Sequence, residues 1–565
     1  MNSAFIKGML SMLFLALVTT AQADRKFSPH KAEDINPAKD IVEVVLVAGE
    51  SEVQFNDDGP ATTVWSYNGM LPGPMIEARL GDTLIVHFYN QLPEPTTIHW
   101  HGLELPANMD GSFIAQNPVP PGGYFRYEFK LLRAATFWYH PHIRSNEQVE
   151  KGLYGALIVR DRKQDKRLHL PRKAHVLMLD DILLDEDGSI AAPFPLDPLG
   201  NAAMQVNGRE GNVLLVNGEV NPTVKVKPGK PQRLRLVNTS NSRFMRVSIP
   251  HHTLYRIGGD AGLLEQPVHV EPIGMKHMGG GHGGGHMGGM AMDMMMSDPD
   301  PNKGILLTPG ERADVIFIPH GEKGDTIPLQ WHDIARGRHT AHYDENGNIQ
   351  FGHAHNDGHL PPVTMMTFKL KGGHHKHDFE LPAHLAEVEP VDITGAGKLM
   401  FMFGHTPANT DGDVTFFVQM KNGMMLPFDK VTPADAPVVR PNETYIIEVH
   451  NMTGGDHNFH LHGFMFQHIE TQFIDMDTPE NNYTVPAPRV ENKDTILLPR
   501  RTGMVRGRSR SVTRLAITFD DTGREGQIFA SGKTAGETTS GGWLLHCHIL
   551  EHSNRGMTSF IQVVE

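Results

Sequence analysis

The chain of 565 residues reads as an all-β protein made of β-sandwich domains, and three observations carry that reading. Short runs of alternating apolar and polar residues, bounded by Gly, Pro and Asn, recur along the chain, as half-buried strands require. No long amphipathic helix interrupts them. One plan also occurs three times: Asn68-Gly69, Asn217-Gly218 and Asn422-Gly423 each open a stretch with a proline, an acid or glycine turn, an alternating apolar strand and a closing Asn. The strands expected in the three copies are Thr83 to Asn90, Arg233 to Asn238 and Thr444 to Asn451. Divisions near residues 165 and 375 follow, giving units 24–165, 166–375 and 376–565 behind a leader of residues 1–23.

The leader has Lys7 in a short n-region, an apolar stretch from Met9 to Val18, and Ala21-Gln22-Ala23 before Asp24, which are the parts of a cleaved secretory signal. Its apolar stretch is too short to span a bilayer, and no later segment is apolar enough to do so. No twin arginine precedes it, so export of the Sec type is expected. The balance of 51 Lys+Arg against 65 Asp+Glu is acidic and argues against nucleic acid as a partner. A single cysteine excludes an intrachain disulfide framework and leaves the thiol free.

That cysteine, Cys547, lies in His546-Cys547-His548-Ile549-Leu550-Glu551-His552, with Met557 ten positions further on. On an extended strand His546 and His548 face one way and Cys547 the other, so the thiolate can bind one metal while its neighbours bind others. A thiolate, two imidazoles and a weak thioether form a blue-copper electron-transfer centre, and Cys547, His552 and Met557 supply three of these groups. The fourth comes from His457-Asn458-Phe459-His460-Leu461-His462-Gly463. Two more pairs stand near the N-terminus, in His99-Trp100-His101-Gly102 and Trp138-Tyr139-His140-Pro141-His142. Each pair is spaced i, i+2, which on a strand aims both imidazoles at one face, and neutral imidazole suits copper. One His-x-His is a chance pair or a solvated strand face. Four pairs with the cysteine supply eight histidines, enough for a three-copper cluster.

These motifs, in this order and at the two ends of a chain of this length, resemble the three-domain bacterial multicopper oxidases, which include copper-efflux, copper-resistance and laccase-like members. The resemblance covers nearly the whole mature chain and implies three cupredoxin-like Greek-key sandwiches. It implies four copper ions per chain. A type 1 copper would be held by His457, Cys547 and His552 with Met557 axial, and a type 2 copper by His99 and His460. Two type 3 coppers would be held by His101, His140, His142, His462, His546 and His548. Electrons given up singly at the first site would pass through Cys547 to the cluster, where O2 takes four and becomes water. Protons are consumed, and the resemblance makes Asp110, in Met109-Asp110-Gly111, the proton-donor candidate; an Asp-Gly turn is the plain alternative. Copper-efflux relatives carry a glutamate after the second type 1 histidine, where this chain has Ser553. In the middle copy Arg243-Phe244-Met245 replaces His99-Trp100-His101, so the cluster is expected between the first and third units.

The middle unit carries a Met/His/Gly-rich insertion at 275–296, with Met275, Met278, Met287, Met290, Met292, Met294, Met295 and Met296 as soft ligands suited to Cu(I). Low-complexity linker explains such a segment's composition in general but not its choice of Met and His. Asp260 precedes the insertion, and in laccases that this chain resembles an acid on the corresponding loop contacts the substrate. Two other histidine-rich stretches, His339 to His359 and His374-His375-Lys376-His377, lack a fixed ligand spacing and read as solvated loops or as nonspecific copper binders. The expectation is an exported, periplasmic oxidase of Cu(I) serving copper tolerance. Phenol oxidation of the laccase type is the alternative, with Mn(II) or Fe(II) behind it. A copper-sequestering protein without turnover is disfavoured by the intact ligand set.

Overall fold

Each copy of the repeat becomes a pair of β-sheets in the computed structural model, which describes residues 27–56, 59–195, 197–273, 303–373, 379–421, 424–432, 434–500, 509–520 and 542–563. In the first pair one sheet runs Thr62–Tyr67, Ile41–Val53, Thr83–Asn90, Tyr124–Lys130, and the other Gly73–Arg79, Gly155–Arg160, Thr136–His140, His99–His101. The second pair is a six-stranded sheet centred on Gln232–Asn238 and a five-stranded sheet centred on Thr326–His332. In the third, a sheet built around Glu443–Asn451 and Ser509–Phe519 faces a five-stranded one whose middle strand is Trp543–His546.

The repeated sequence plan has a repeated structural cause. Thr83–Asn90, Gln232–Asn238 and Glu443–Asn451 each lie parallel to the strand before the turn and antiparallel to a later one. The closing asparagine then ties the strand's exit in the same way each time. Asn90 Nδ2 donates to the carbonyls of Glu94 and Val119, Asn238 Nδ2 to those of Arg243 and Leu307, and Asn451 Nδ2 to those of Gly455 and Leu498. Each side-chain oxygen accepts from the backbone two residues on. Asparagine suits the point because its amide donates two hydrogen bonds and accepts another, where a hydroxyl has only one hydrogen to donate. At the opening turns, Asn68 and Gly69 have φ of 58° and 69°, and Asn217 and Gly218 have 54° and 76°, the left-handed pair that a tight hairpin requires. Asn422-Gly423 lies outside the described residues.

Strand alternation fills three cores. On Ile41–Val53, Val42, Val44, Leu46 and Ala48 point inward and join Leu84, Val86 and Phe88 from the neighbouring strand. Separate clusters form around Leu236 and Trp331 in the middle unit and around Phe459, Trp543 and Cys547 in the third. A smaller cluster spans the junction, where Met75, Trp138 and Tyr154 of the first unit meet Met178 and Val237 of the second and Leu550 of the third. Fully burying such side chains is worth about 1.5–3 kcal/mol each, so the three units are held together over the ends of the first and third sandwiches. The longest described helix, Pro198–Asn207, begins where Asp197 accepts from Gly200 N at 2.7 Å and ends at Gly208, whose φ is 74°. No helix among the described residues is long and apolar enough to cross a membrane.

Candidate metal centres

The four histidine pairs converge from two sandwiches. His99 and His101 share a strand that pairs with Thr136–His140, bringing His99 opposite His140, and His460 is paired with His546 in the third unit. Only the first pair lies wholly within a strand; His142, His462 and His548 sit just past the ends of theirs. Strand alternation therefore explains His99 and His101, while the other pairs rely on the exit turn. His552 comes from the short helix Leu550–Asn554, and the backbone N–H of Cys547 donates to the carbonyl of buried Met557 at 3.0 Å.

Ligand atoms within 4.8 Å of one another form the trios His457/Cys547/His552, His101/His140/His548, His142/His462/His546 and His99/His101/His460. All these side chains are buried. Chain neighbours thus serve three different trios: Cys547 the first, His548 the second and His546 the third.

The hydrogen bonds around the imidazoles show that this set fits metal ions. Nδ1 of His99, His140, His460 and His546 donates to the carbonyls of Asp110, Pro141, Asp494 and Cys547 at 2.8–2.9 Å, and Nδ1 of His462 donates to Asp110 Oδ2 at 2.8 Å. For His101 the outer nitrogen is Nε2, 3.1 Å from Asp494 Oδ1. The opposite nitrogens of His99, His101, His140 and His460 are enclosed with no hydrogen-bond partner. His462 Nε2 and His546 Nε2 stand 3.1 Å apart although both rings place their proton on Nδ1, so two lone pairs face each other. A cation between them removes that conflict, and an outer bond that fixes the tautomer is how proteins prepare a histidine ligand.

The cysteine trio repeats the pattern. His457 Nε2 lies 2.7 Å from Thr453 Oγ1, and His552 Nε2 donates to the carbonyl of Val206 at 3.2 Å. Their Nδ1 atoms stand 3.1 Å apart, each 3.6 Å from Cys547 Sγ. Burial pushes the Cys547 thiol up to about 12, so a thiolate forms there only against a compensating cation. Burial, then neighbouring imidazoles, holds His140, His142, His462, His546 and His548 well below the usual range, in the neutral form that binds metal.

Asp110 is 1% exposed and bridges His99 and His462, two histidines from different units. Burial opposes its ionisation, but His99 and a hydrogen bond from it bring the carboxyl below its usual value. Ser553 hydrogen-bonds Thr558 Oγ1 at 3.1 Å, and the nearby Glu551 is fully buried with Oε1 accepting from Asn241 Nδ2 at 3.0 Å.

Sequence reasoning missed the wall behind the cluster. Asp494 reaches His101 with its side chain and His460 with its carbonyl, and Arg312 Nη1 donates to Asp494 Oδ1 at 2.7 Å. Arg312 also donates to the carbonyls of Thr136 and Asp260, so one fully buried guanidinium joins all three units. Gly310, at φ 87°, leaves no room for a Cβ, which would stand 2.8 Å from His101 Cε1. The middle unit therefore supplies no member of the four trios yet closes the cluster; an isolated Arg or Asp carries no spacing that could have announced this. Asp260 belongs to the same wall, which corrects its expected role at a substrate. It is 0% exposed, with Oδ1 accepting from the backbone of Arg312 at 2.8 Å and Oδ2 3.0 Å from Lys493 Nζ, so it offers nothing to a ligand from solvent. Burial raises it to about 6 against the pull of Lys493 and Arg312.

The stretch His339 to His359 is also not the bare loop expected. His339–Tyr343 and Ile349–His353 form a hairpin whose Phe351 packs against the third core. The leader 1–23, the methionines Met275, Met278, Met287, Met290, Met292, Met294, Met295 and Met296, and His374-His375-Lys376-His377 lie outside the described residues.

Comparison with known proteins agrees with this arrangement. Residues 49–164, 180–275 and 404–516 each match a model of the family described as multicopper oxidase. The laccase of Bacillus subtilis is 26% identical over 94% of this chain and 96% of its own length. A copper resistance protein A homolog of Pseudomonas syringae is 31% identical over 39% of this chain and 44% of its own. The solved structure of a Campylobacter jejuni multicopper oxidase, titled a metallo-oxidase, shares the fold with a TM-score of 0.68 over 95% of this chain and 94% of that one, at 23% identity. The chain belongs to the multicopper oxidases, and is an oxidoreductase that uses copper.

Proposed function

We propose that this oxidase is exported to the periplasm and oxidises Cu(I) to the less permeant Cu(II), contributing to copper tolerance. The observation that carries the substrate is the segment 275–296, where eight methionines and three histidines stand among glycines; thioethers are soft ligands that favour Cu(I) over harder ions. The similarity to a copper resistance protein A homolog supports the same reading.

Four copper ions would complete the enzyme and, when bound, supply the redox chemistry that couples one-electron oxidations of substrate to the four-electron reduction of O2 to water. The type 1 ion would be held by His457, Cys547, His552 and Met557, and the type 2 ion by His99 and His460. Two type 3 sites divide as His101/His140/His548 and His142/His462/His546, a split supported by the trios. The units of the chain divide near 165 and 375. Cys547 links the centres through its own peptide bonds, one to His546 and one to His548. Asp110 orients His99 and His462 and accepts and returns protons at its carboxylate. Arg312 holds Asp494 against His101, which keeps the cluster's wall dry and fixed.

Deletion of residues 275–296 tests the substrate. Cu(I) oxidation should fall while phenol oxidation holds or rises, at copper content and blue absorption equal to the parent's. Equal losses for both substrates at full loading would remove Cu(I) capture from this segment. The second reading, phenol oxidation, is favoured by the similarity to the Bacillus subtilis laccase along nearly the whole chain.

A further inference from the structure

The two histidines of the cysteine trio are steadied from behind by two separate pieces of backbone. His552 Nε2 donates to the carbonyl of Val206, in the last turn of the helix Pro198–Asn207 of the middle unit. His457 Nε2 donates to Thr453 Oγ1, and that hydroxyl lies 3.1 Å from the carbonyl of Gly455, in the loop that leads into His457. These outer bonds leave both Nδ1 atoms bare and facing each other at 3.1 Å, so the two lone pairs repel. The separation of the rings is therefore set by what holds the helix end and the loop together.

One residue of the middle unit is bonded to both. The carbonyl of Arg336 accepts from the N–H of Asp456, the residue before His457, at 2.7 Å. Its Nη2 donates to the carbonyl of Asn207, the residue after Val206, at 2.7 Å. Arg336 is 3% exposed, and its guanidinium is held by Glu210, whose Oε1 accepts from Nε at 2.9 Å and from Nη2 at 2.6 Å. The ring of Phe244 lies 5.5 Å from the guanidinium carbon. The backbone around it is fixed as well, because Asp357 accepts from the N–H groups of Arg336 and Gly337 at 3.1 and 2.8 Å. Gly337, at φ 78°, lets this segment lie against the loop of His457, where a Cβ would run into the carbonyl of Gly454.

Geometry and charge act together at this point. A planar guanidinium presents several donors in a rigid fork, so it reaches a carboxylate and a carbonyl at once, which a single ammonium does less well. Because the group is buried, its positive charge is weakly screened, and a fixed cation beside a metal site disfavours the more highly charged oxidation state. Arg338 supplies the contrast. It shares Glu210 with Arg336, at 3.0 Å, and its other partners are Asp333 at 2.8 Å, Asp357 at 3.1 Å and the carbonyl of Ile334, in place of the helix end and the loop.

We propose that Arg336 is a positioning residue for the type 1 centre: it clasps the backbone behind His457 and His552, sets the separation of the two imidazoles, and by its charge favours the reduced state of the ion they would hold. This rests on the type 1 reading of the trio and deepens it, because it gives the middle unit a part in setting the centre's potential. A centre that is easier to reduce accepts electrons from weaker donors. Arg336 therefore acts on the range of donors the enzyme can use, through the two histidines and without touching the donor.

The test uses the full-length, copper-loaded protein, poised against a one-electron mediator dye while the blue absorption is followed. Arg336→Met removes both fork and charge: the equilibrium with the dye should move about tenfold toward the oxidised centre, about 59 mV for one electron, and the blue band should shift. Arg336→Lys keeps the charge without the fork, so it should recover at least about half of that change in potential while the band stays shifted. Arg338→Met removes a charge of the same sign from the same carboxylate, and should move the equilibrium by no more than about threefold with the band as in the parent. A midpoint and band unchanged in Arg336→Met at full copper content, or equal shifts in Arg338→Met, would overturn the role, even if the variant unfolds at lower urea. Should Arg336→Met hold no copper at the trio, Arg336→Lys decides, and a parental band there refutes the clasp. A parent without blue absorption refutes the type 1 reading itself, an outcome distinct from any difference between variants.

Discussion

The motif histidines and the hairpin histidines differ in what holds their outer edges. Eight of the ten motif histidines have one ring nitrogen tied to a fixed acceptor or hydroxyl: His99, His101, His140, His457, His460, His462, His546 and His552. All ten are buried. Around the hairpin 339–353 only His405, at the end of the strand Gly397–His405, is tied in this way, and His353 is exposed. A ring that cannot rotate and cannot reach water suits an ion that stays; a ring at the surface suits an ion that arrives and leaves. The difference between a prepared metal ligand and a surface histidine is thus written in hydrogen bonds rather than in histidine count.

The largest effect should come from breaking the resident side at its one anionic ligand. Cys547→Ser should abolish the blue absorption and all turnover while the cluster ions remain bound, read by absorption and copper content together; retained blue colour would contradict the role of the thiolate.

Next comes the wall. Arg312→Met leaves Asp494 and Asp260 facing each other's field without the shared guanidinium, at a cost of about 3–5 kcal/mol in urea unfolding of the apo-protein. Cluster copper should be lost before the blue centre, since Asp494 bonds His101 and His460 directly while the cysteine trio reaches this network through Asn458 and the Thr308–Gly310 segment. Loss of both together would show that Arg312 acts only on global stability.

Asp110→Asn should be milder, slowing O2 reduction by about 10–100-fold while the type 1 centre is still reduced at the parent rate, as stopped-flow absorption would show. Turnover equal to the parent's under saturating donor would remove the proton role.

The smallest effect sharpens the comparison through pH. His101, His140, His142, His457, His460, His462, His546, His548 and His552 have folded-state values depressed by burial, the last to about 3. Their contribution to stability is complete above the unfolded value of about 6.5 and is lost as pH falls from there toward the folded values. The apo-protein should therefore unfold on acidification beginning near pH 6, while bound copper keeps the same nitrogens deprotonated and delays unfolding, as circular dichroism of both forms would report.

Much of this was legible in the sequence, for physical reasons. Cys547 and the His-x-His pairs have to be close in sequence because a strand and its exit turn present them, so spacing alone finds them. Asn90, Asn238 and Asn451 were visible because one hydrogen-bonding task recurs in three units. Arg312, Asp494 and Gly310 were not visible: each acts through a contact between units far apart in the chain, and nothing local marks it. Asp260 misled because its place before the insertion said nothing about Lys493 and Arg312 enclosing it. The hairpin 339–353 was read as loop because its histidines, Asn and Gly hide the alternation that puts Phe351 and His339 on one face.

The most direct test of the central claim is oxygen uptake by the copper-loaded protein given Cu(I), Fe(II), Mn(II) and a phenol side by side at equal concentration. Cu(I) should give the fastest uptake, with one O2 consumed per four Cu(I) oxidised. A phenol turned over faster than Cu(I), or Cu(I) bound without oxygen uptake, would contradict the account.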